Sequence, residues 1–140
     1  MQKIETMIKV HKWNLDEKRQ QLHDLKKLLE QFEQQEQKLN EEFEKEKEAL
    51  KKQGDVKADF VNYKKLIESR KKTLHDSMDS VEEQIKVAEK EMLDAFQKLK
   101  KFELIRDNAQ QKSRKKRELK FQKQLDEVGI NQYTQKDRRT

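Results

Sequence analysis

The chain has 140 residues, of which 31% are hydrophobic and 44% are charged, and its net charge is +6. So little apolar material excludes a compact globular core of ordinary size. Disordered chains have a similar composition, so the spacing of the apolar residues decides whether this chain folds. The sequence has no proline and only two glycines, Gly54 and Gly129, so the stretches between them are expected to be helical.

The first predicted element is a helical arm over residues 1–53. Steps of four and three residues from Ile4 to Leu50 meet fourteen positions, of which ten are apolar. These positions are Ile4, Ile8, His11, Leu15, Lys18, Leu22, Leu25, Leu29, Phe32, Glu36, Leu39, Phe43, Glu46 and Leu50. A stripe that repeats about every 3.5 residues is typical of a coiled coil, because it keeps one side of the helix, the seam, facing a partner helix.

A short tip over residues 54–59 follows the first arm. Gly54 is predicted to end the first helix, because glycine readily adopts the left-handed backbone conformation. Asp55 or Asp59 is predicted to cap the amides that begin the next helix. Helices joined by so short a link are antiparallel neighbours, so each stripe is expected to bury the other. The alternative is one continuous rod that dimerises, since a single glycine weakens a helix by only about 1 kcal/mol.

The second predicted arm covers residues 60–111 and carries a stripe of its own, in which eleven of thirteen positions are apolar. These positions are Ile67, Lys71, Leu74, Met78, Val81, Ile85, Ala88, Met92, Ala95, Leu99, Phe102, Arg106 and Ala109. Pairing about the tip is expected to place Ile4 near Ala109 and Leu50 near Tyr63. The predicted fold is therefore all-α: a long antiparallel two-helix coiled-coil hairpin with a protruding C-terminal helix.

The protruding part is predicted over residues 112–128 and is called the overhang. From Lys112 to Lys123 it holds seven Lys or Arg and one Glu, which leaves 27 basic and 27 acidic residues elsewhere. Its sizeable apolar residues are Leu119, Phe121, Leu125 and Val128. Because an isolated helix of this length is marginally stable, we expect the overhang to bind a partner. The helix is expected to stop at Gly129, with residues 129–140 as a flexible tail.

The sequence offers little for catalysis. His11, His23 and His75 are the only histidines, no two of them are four residues apart, and there is no cysteine. Two glycines are too few for a phosphate-binding loop. We therefore expect no enzymatic activity, no cofactor and no metal site, with His11 as a tolerated polar residue in the seam. No signal peptide or membrane span is visible, so a cytoplasmic location is expected.

Two large side chains beside the stripes each allow two interpretations. Trp13 either packs over the edge of the seam or takes part in binding. Leu66 either covers the seam or stands exposed. The basic overhang also allows a second function, because a helix with several cations binds nucleic-acid phosphates. Against that function, the overhang has few aromatic residues for base stacking and is not followed by a zipper.

Several blocks of the sequence resemble those of one family. They are VHKWNLDEKRQQLHDL at the start, VNYKKLIESRKKTLHD after the tip, FQKLKKFELIRDNAQQKS further along, and QLDEVG near the end. In their order and spacing, and in the position of the tip, they resemble the FliJ family of the bacterial flagellar type III export apparatus. The resemblance extends over nearly the whole chain.

The resemblance implies a hairpin that associates with the hexameric export ATPase much as the central shaft of a rotary ATPase sits in its ring. It also implies contacts with the export gate protein and with chaperones that escort flagellar subunits, at the cytoplasmic face of the cell membrane. We expect a monomer and no nucleic-acid partner. The equivalent component of a virulence type III secretion system is an alternative with the same architecture.

The expected contact residues follow from the hairpin and the resemblance together. For the ATPase they are Trp13, Lys112, Arg114, Lys115, Lys116, Arg117, Lys120 and Lys123. For the gate protein they are Asn62, Tyr63, Leu66 and Arg70, on the face near the tip that the family uses. Further along that face the family often has apolar or aromatic residues, whereas this chain has Arg70, Thr73 and Ser77, with Glu42 and Lys45 on the first arm. The gate contact is therefore expected to be more polar here.

Overall fold

The computed structural model describes residues 2–53 and 57–139 of the chain, and side chains over residues 2–53 and 59–136. It contains two α-helices, α1 (Gln2–Gln53) and α2 (Lys57–Arg139). The two helices pack against each other, which confirms the predicted all-α hairpin. The predicted helix end at Gly54 and the predicted cap at Asp55 lie outside the described residues.

The predicted boundaries of α2 are wrong at both ends. The helix begins at Lys57, so Asp59 lies within its first turn, where a carboxylate favours the positive end of the helix dipole. At the other end, α2 continues through Gly129 to Arg139, where a flexible tail was predicted. One glycine costs a helix only about 1 kcal/mol, and no proline follows to stop it. Nothing lies within 4 Å of the place where a side chain at Gly129 would begin, so packing does not require glycine there.

Residues 13–96 form one compact unit, in which both predicted stripes face inward. Its buried residues are Leu15, Leu22, Ile67, Leu74, Val81, Ala88 and Ala95, and all seven are predicted seam positions. The remaining seam positions of this unit are half-buried, with Glu46 as the one exposed exception among the described residues. The 3.5-residue repeat therefore identified the buried side of each helix.

Contacts within this unit show that the helices run antiparallel. Near the middle of α1, Glu36 lies 3.6 Å from the His75 ring nitrogen Nε2. Closer to the tip, the ring of Phe43 stacks on Tyr63 with centroids 6.4 Å apart, and Leu50 lines the same small depression as Tyr63. Higher numbers on α1 thus meet lower numbers on α2. This order confirms the antiparallel hairpin and the predicted proximity of Leu50 and Tyr63, and it contradicts the alternative of one continuous rod.

The second unit contains residues 1–12 and 97–140, of which 2–12 and 97–139 are described. Ile8 and Leu99 are buried in its seam, and the ring of His11 stacks on Phe102 with centroids 4.7 Å apart and an interplanar angle of 15°. This placement confirms His11 as a polar residue of the seam. Among the described side chains of α2, Ser113 is the last that is half-buried, since every side chain from 114 to 136 is exposed. Neither described helix is apolar enough over a sufficient length to cross a membrane.

The seam can be tested with two substitutions close together on α2. Ile67 is 2% exposed and Val61 is 48% exposed. Ile67→Ala is expected to lower the free energy of unfolding by about 2–3 kcal/mol, because it removes buried apolar surface and leaves a cavity. Val61→Ala should change that free energy by no more than about 0.5 kcal/mol. Urea denaturation followed by far-UV circular dichroism measures both, and equal losses would contradict the placement of the seam.

Candidate interaction surfaces

The basic side chains of the overhang are all exposed. They are Lys112, Arg114, Lys115, Lys116, Arg117, Lys120 and Lys123. Arg117 donates a hydrogen bond to the hydroxyl of Ser113 over 3.3 Å. Within the described part of the chain, no ion pair engages the other six cations. The overhang therefore presents a concentrated positive charge to any partner.

Lysines occupy the overhang where the seam of α2 would continue. Steps of four and three residues beyond Ala109 reach Ser113, Lys116, Lys120 and Lys123. A seam of lysines does not support a coiled coil, because it offers no apolar side chains to bury. The change from an apolar to a basic seam therefore coincides with the loss of burial after Ser113.

Large apolar side chains are also exposed on this stretch of α2. The four predicted from the sequence are Leu119, Phe121, Leu125 and Val128, and the continued helix adds Ile130 and Tyr133. The last two were missed because the helix was expected to stop at Gly129. Exposed apolar groups in this number, interleaved with cations, are typical of a binding surface.

The predicted gate-binding residues are divided between two environments. Asn62, Leu66 and Arg70 follow one another at steps of four residues, so they share one face of α2, and all three are exposed. Leu66 is therefore an exposed residue and not a cover for the seam. Tyr63 is half-buried, and its ring stacks on Phe43. Tyr63 thus belongs partly to the packing of the hairpin, whereas the other three are free to make contacts.

Arg70 also lines a groove of about 530 Å³ between α1 and α2. The other lining residues are Phe32, Gln35, Lys38, Leu39, Glu42, Ser69, Thr73, Leu74 and Ser77. The hydroxyls of Thr73 and Ser77 donate hydrogen bonds of 3.1 Å to backbone carbonyls of their own helix, at Ser69 and Thr73. Because these hydroxyls turn back to the backbone, an incoming apolar group does not leave them without hydrogen bonds. Residues that looked merely polar in the sequence thus line an interhelical groove with an apolar floor.

The structure settles the position of Trp13. The side chain is 68% exposed, so the interpretation that it packs over the edge of the seam is wrong. Trp13 lies midway between the seam positions His11 and Leu15, which places it on the outer side of the helix. An exposed tryptophan is a common anchor in protein interfaces, and contact of Trp13 with a partner remains a prediction.

Tyr63 and Leu66 are expected to differ in their contribution to stability. Tyr63→Ala should lower the free energy of unfolding by about 1–2 kcal/mol, because it removes a half-buried aromatic side chain and its contact with Phe43. Leu66→Ala should cost no more than about 0.5 kcal/mol. Urea denaturation of the two variants tests this difference. Equal losses of unfolding free energy in the two variants would contradict the placement of Tyr63 in the hairpin packing and of Leu66 outside it. If only Tyr63→Ala is destabilising, Leu66→Ala can be used to measure partner binding at this face without a change in stability.

Comparisons with known proteins complete the description of these surfaces. No protein-family model, no curated protein and no solved structure matches this chain.

Proposed function

We propose that this chain is a non-enzymatic component of the bacterial flagellar type III export apparatus that binds and stimulates the hexameric export ATPase. In this role a hairpin presents the overhang to the ATPase ring, as a central stalk does. The chain acts at the cytoplasmic face of the cell membrane and is held there by its partners. The resemblance of its sequence blocks to the FliJ family is the reason for choosing this apparatus.

The exposed, basic, helical overhang is the observation that carries the proposal. A single α-helix with its side chains is about 10–12 Å wide, so it fits an opening that a globular domain does not. Exposed cations on such a helix speed association with a ring-shaped partner whose central opening is lined by acidic or carbonyl groups. Arg114, Lys115 and Arg117 are the proposed contacts, because they lie where the seam has just ended.

The face near the tip supports a second contact, with the export gate protein. Asn62, Leu66 and Arg70 form an exposed row, and Arg70 borders the groove above Phe32, Leu39 and Leu74. A partner side chain that enters this groove contacts these apolar residues. The charged residues Lys38, Glu42 and Arg70 also line the groove. Such a site takes an apolar group with polar neighbours, which agrees with the expectation of a more polar gate contact. Escorting chaperones are further proposed partners.

Nucleic-acid binding is the second candidate, and the same unpaired cations favour it. The two candidates differ in their response to salt. Affinity for a random DNA duplex would fall by orders of magnitude between about 50 and 200 mM salt, because phosphate binding releases counterions. Neutralising phosphates also makes no use of Phe121, Leu125 and Val128. Binding to a duplex and to the purified hexameric ATPase, measured side by side, separates the candidates.

Reversing the charge of Arg114, Lys115 and Arg117 to Glu is expected to reduce stimulation of the purified hexameric ATPase by about tenfold or more at near-physiological salt. The physical reason is that the variant meets the ring with like charges. A matched variant reverses the exposed residues Lys90, Lys98 and Lys101, which changes the net charge equally outside the overhang. That control should keep most of the stimulation. Undiminished stimulation by the overhang variant would contradict the proposed docking end.

A further inference from the structure

The overhang carries an apolar stripe that is separate from the seam. Phe121, Leu125 and Val128 are spaced by four and three residues, and their side chains are 61%, 53% and 53% exposed. Each residue turns an α-helix by about 100°, so Phe121 points well away from the seam position Lys120 that precedes it. The spacing is that of a coiled-coil stripe, but on a side of α2 that does not face α1 in the hairpin.

The other exposed apolar residues of this region do not form a comparable stripe. Leu119 and Ile130 lie roughly opposite Phe121 around the helix. The same steps of four and three residues from Leu119 reach Lys123 and Asp126 before Ile130. Two charged residues therefore interrupt that side. Only the Phe121 side offers an unbroken row of apolar contacts over two helical turns.

Cations accompany the continuous stripe on its N-terminal side. Arg114 lies seven residues before Phe121, and Arg117 lies four residues before it. Both cations are therefore close to the line of the stripe. Lys115 lines a shallow depression together with Glu118, Leu119, Phe121, Gln122 and Leu125. Glu118 is the one carboxylate there, and neither Arg114 nor Lys115 has an ion pair among the described residues. A partner that covers the stripe must supply negative charge to balance three cations.

We propose that Phe121, Leu125 and Val128 form a docking stripe for an acidic amphipathic helix of a partner protein. The partner's apolar residues, at positions i, i+3 or i+4 and i+7, pack on the stripe, as in other helix–helix recognition. Its flanking Asp or Glu side chains pair with Arg114, Lys115 and Arg117. For the identity of the biological partner, this inference rests on the proposed function. It adds the chemistry of the partner surface that binds the overhang.

Two other occupants fit the overhang less well. A second copy of the overhang would bring another net charge of +4 against the first, and like charges across a helix pair are unfavourable. A lipid surface requires a helix with its apolar and charged sides segregated. Here exposed apolar residues lie on both sides, with Leu119 and Ile130 opposite Phe121. An acidic helix needs only one narrow stripe, which this segment has.

The probe for the test is a fluorescently labelled three-heptad peptide with Leu at a and d and Glu at e and g. Glutamates at e and g disfavour pairing of the peptide with itself. Fluorescence anisotropy with the full chain, at about 150 mM salt, measures its affinity. The same peptide with Lys at e and g should bind at least about tenfold more weakly, since it meets the cations with like charge.

Two double variants decide whether the stripe itself takes part. Phe121→Ala with Leu125→Ala should weaken binding of the acidic peptide by about tenfold or more, because it removes the central apolar contacts. Ile130→Ala with Tyr133→Ala removes two similarly exposed side chains, 64% and 71%, that lie outside the stripe, and should change the affinity less than about twofold. Both variants keep the charge, and alanine favours helix, so neither weakens the overhang as a helix.

The outcomes separate the inference from the proposed function. Equal weakening by both double variants, or equal affinity for the acidic and basic peptides, would overturn the docking stripe. Concentration-dependent association of the chain alone, lost in the Phe121/Leu125 variant, would assign the stripe to a second copy and overturn the inference. Stronger, stripe-dependent binding to anionic vesicles would do the same in favour of lipid. If the variant Phe121→Ala with Leu125→Ala stimulated the export ATPase as well as the unchanged chain does, the proposed function would hold and the stripe would have no part in it.

Discussion

The apolar seam between α1 and α2 is the interaction on which the rest of the structure depends. Two helices have no third layer to cover them, so hydrophobic burial is confined to one line of side chains on each helix. Even there, most seam residues are only half-buried. This open geometry explains why charged residues are tolerated in the seam. The ammonium of Lys18 reaches the carboxylate of Glu91 at 3.0 Å, and that of Lys71 lies 5.9 Å from the centre of the Phe43 ring. Long side chains bury their stems in the seam and keep their charges at its edge.

Most of the fold could be predicted from the sequence, because the seam is a periodic feature and periodicity is visible in one dimension. The boundaries of α2 could not, since Gly129 weakens a helix without forbidding it and the sequence contains no proline to do so. The exposed position of Trp13 could have been predicted from the same repeat that places His11 and Leu15 in the seam. The character of the groove beside Arg70 could not be predicted, because the hydroxyls of its lining residues Thr73 and Ser77 are directed to the backbone by their rotamers. Side-chain conformation of this kind is a property of the folded helix and leaves no pattern in the sequence.

The two candidate surfaces have different chemistry. The overhang combines unpaired cations with an exposed apolar stripe, and that combination suits a partner with both negative charge and apolar side chains. The face of Asn62, Leu66 and Arg70 has little net charge and borders a groove, which suits a partner that inserts a side chain. A chain with two unlike surfaces and little hydrophobic core is suited to connecting other proteins. That property is what the proposed role between an ATPase and an export gate requires.

The account depends on one point: the seam ends near Ala109, and no second helix of the chain packs against the overhang. Hydrogen–deuterium exchange of backbone amides, resolved along the chain, tests it most directly, because amides of packed helices open far less often than those of an isolated helix. The account predicts slow exchange for amides of both helices along the seam and fast exchange from residue 114 onward. Slow exchange that continued unchanged through residues 114–128 of the isolated chain would contradict it, as would fast exchange throughout both helices.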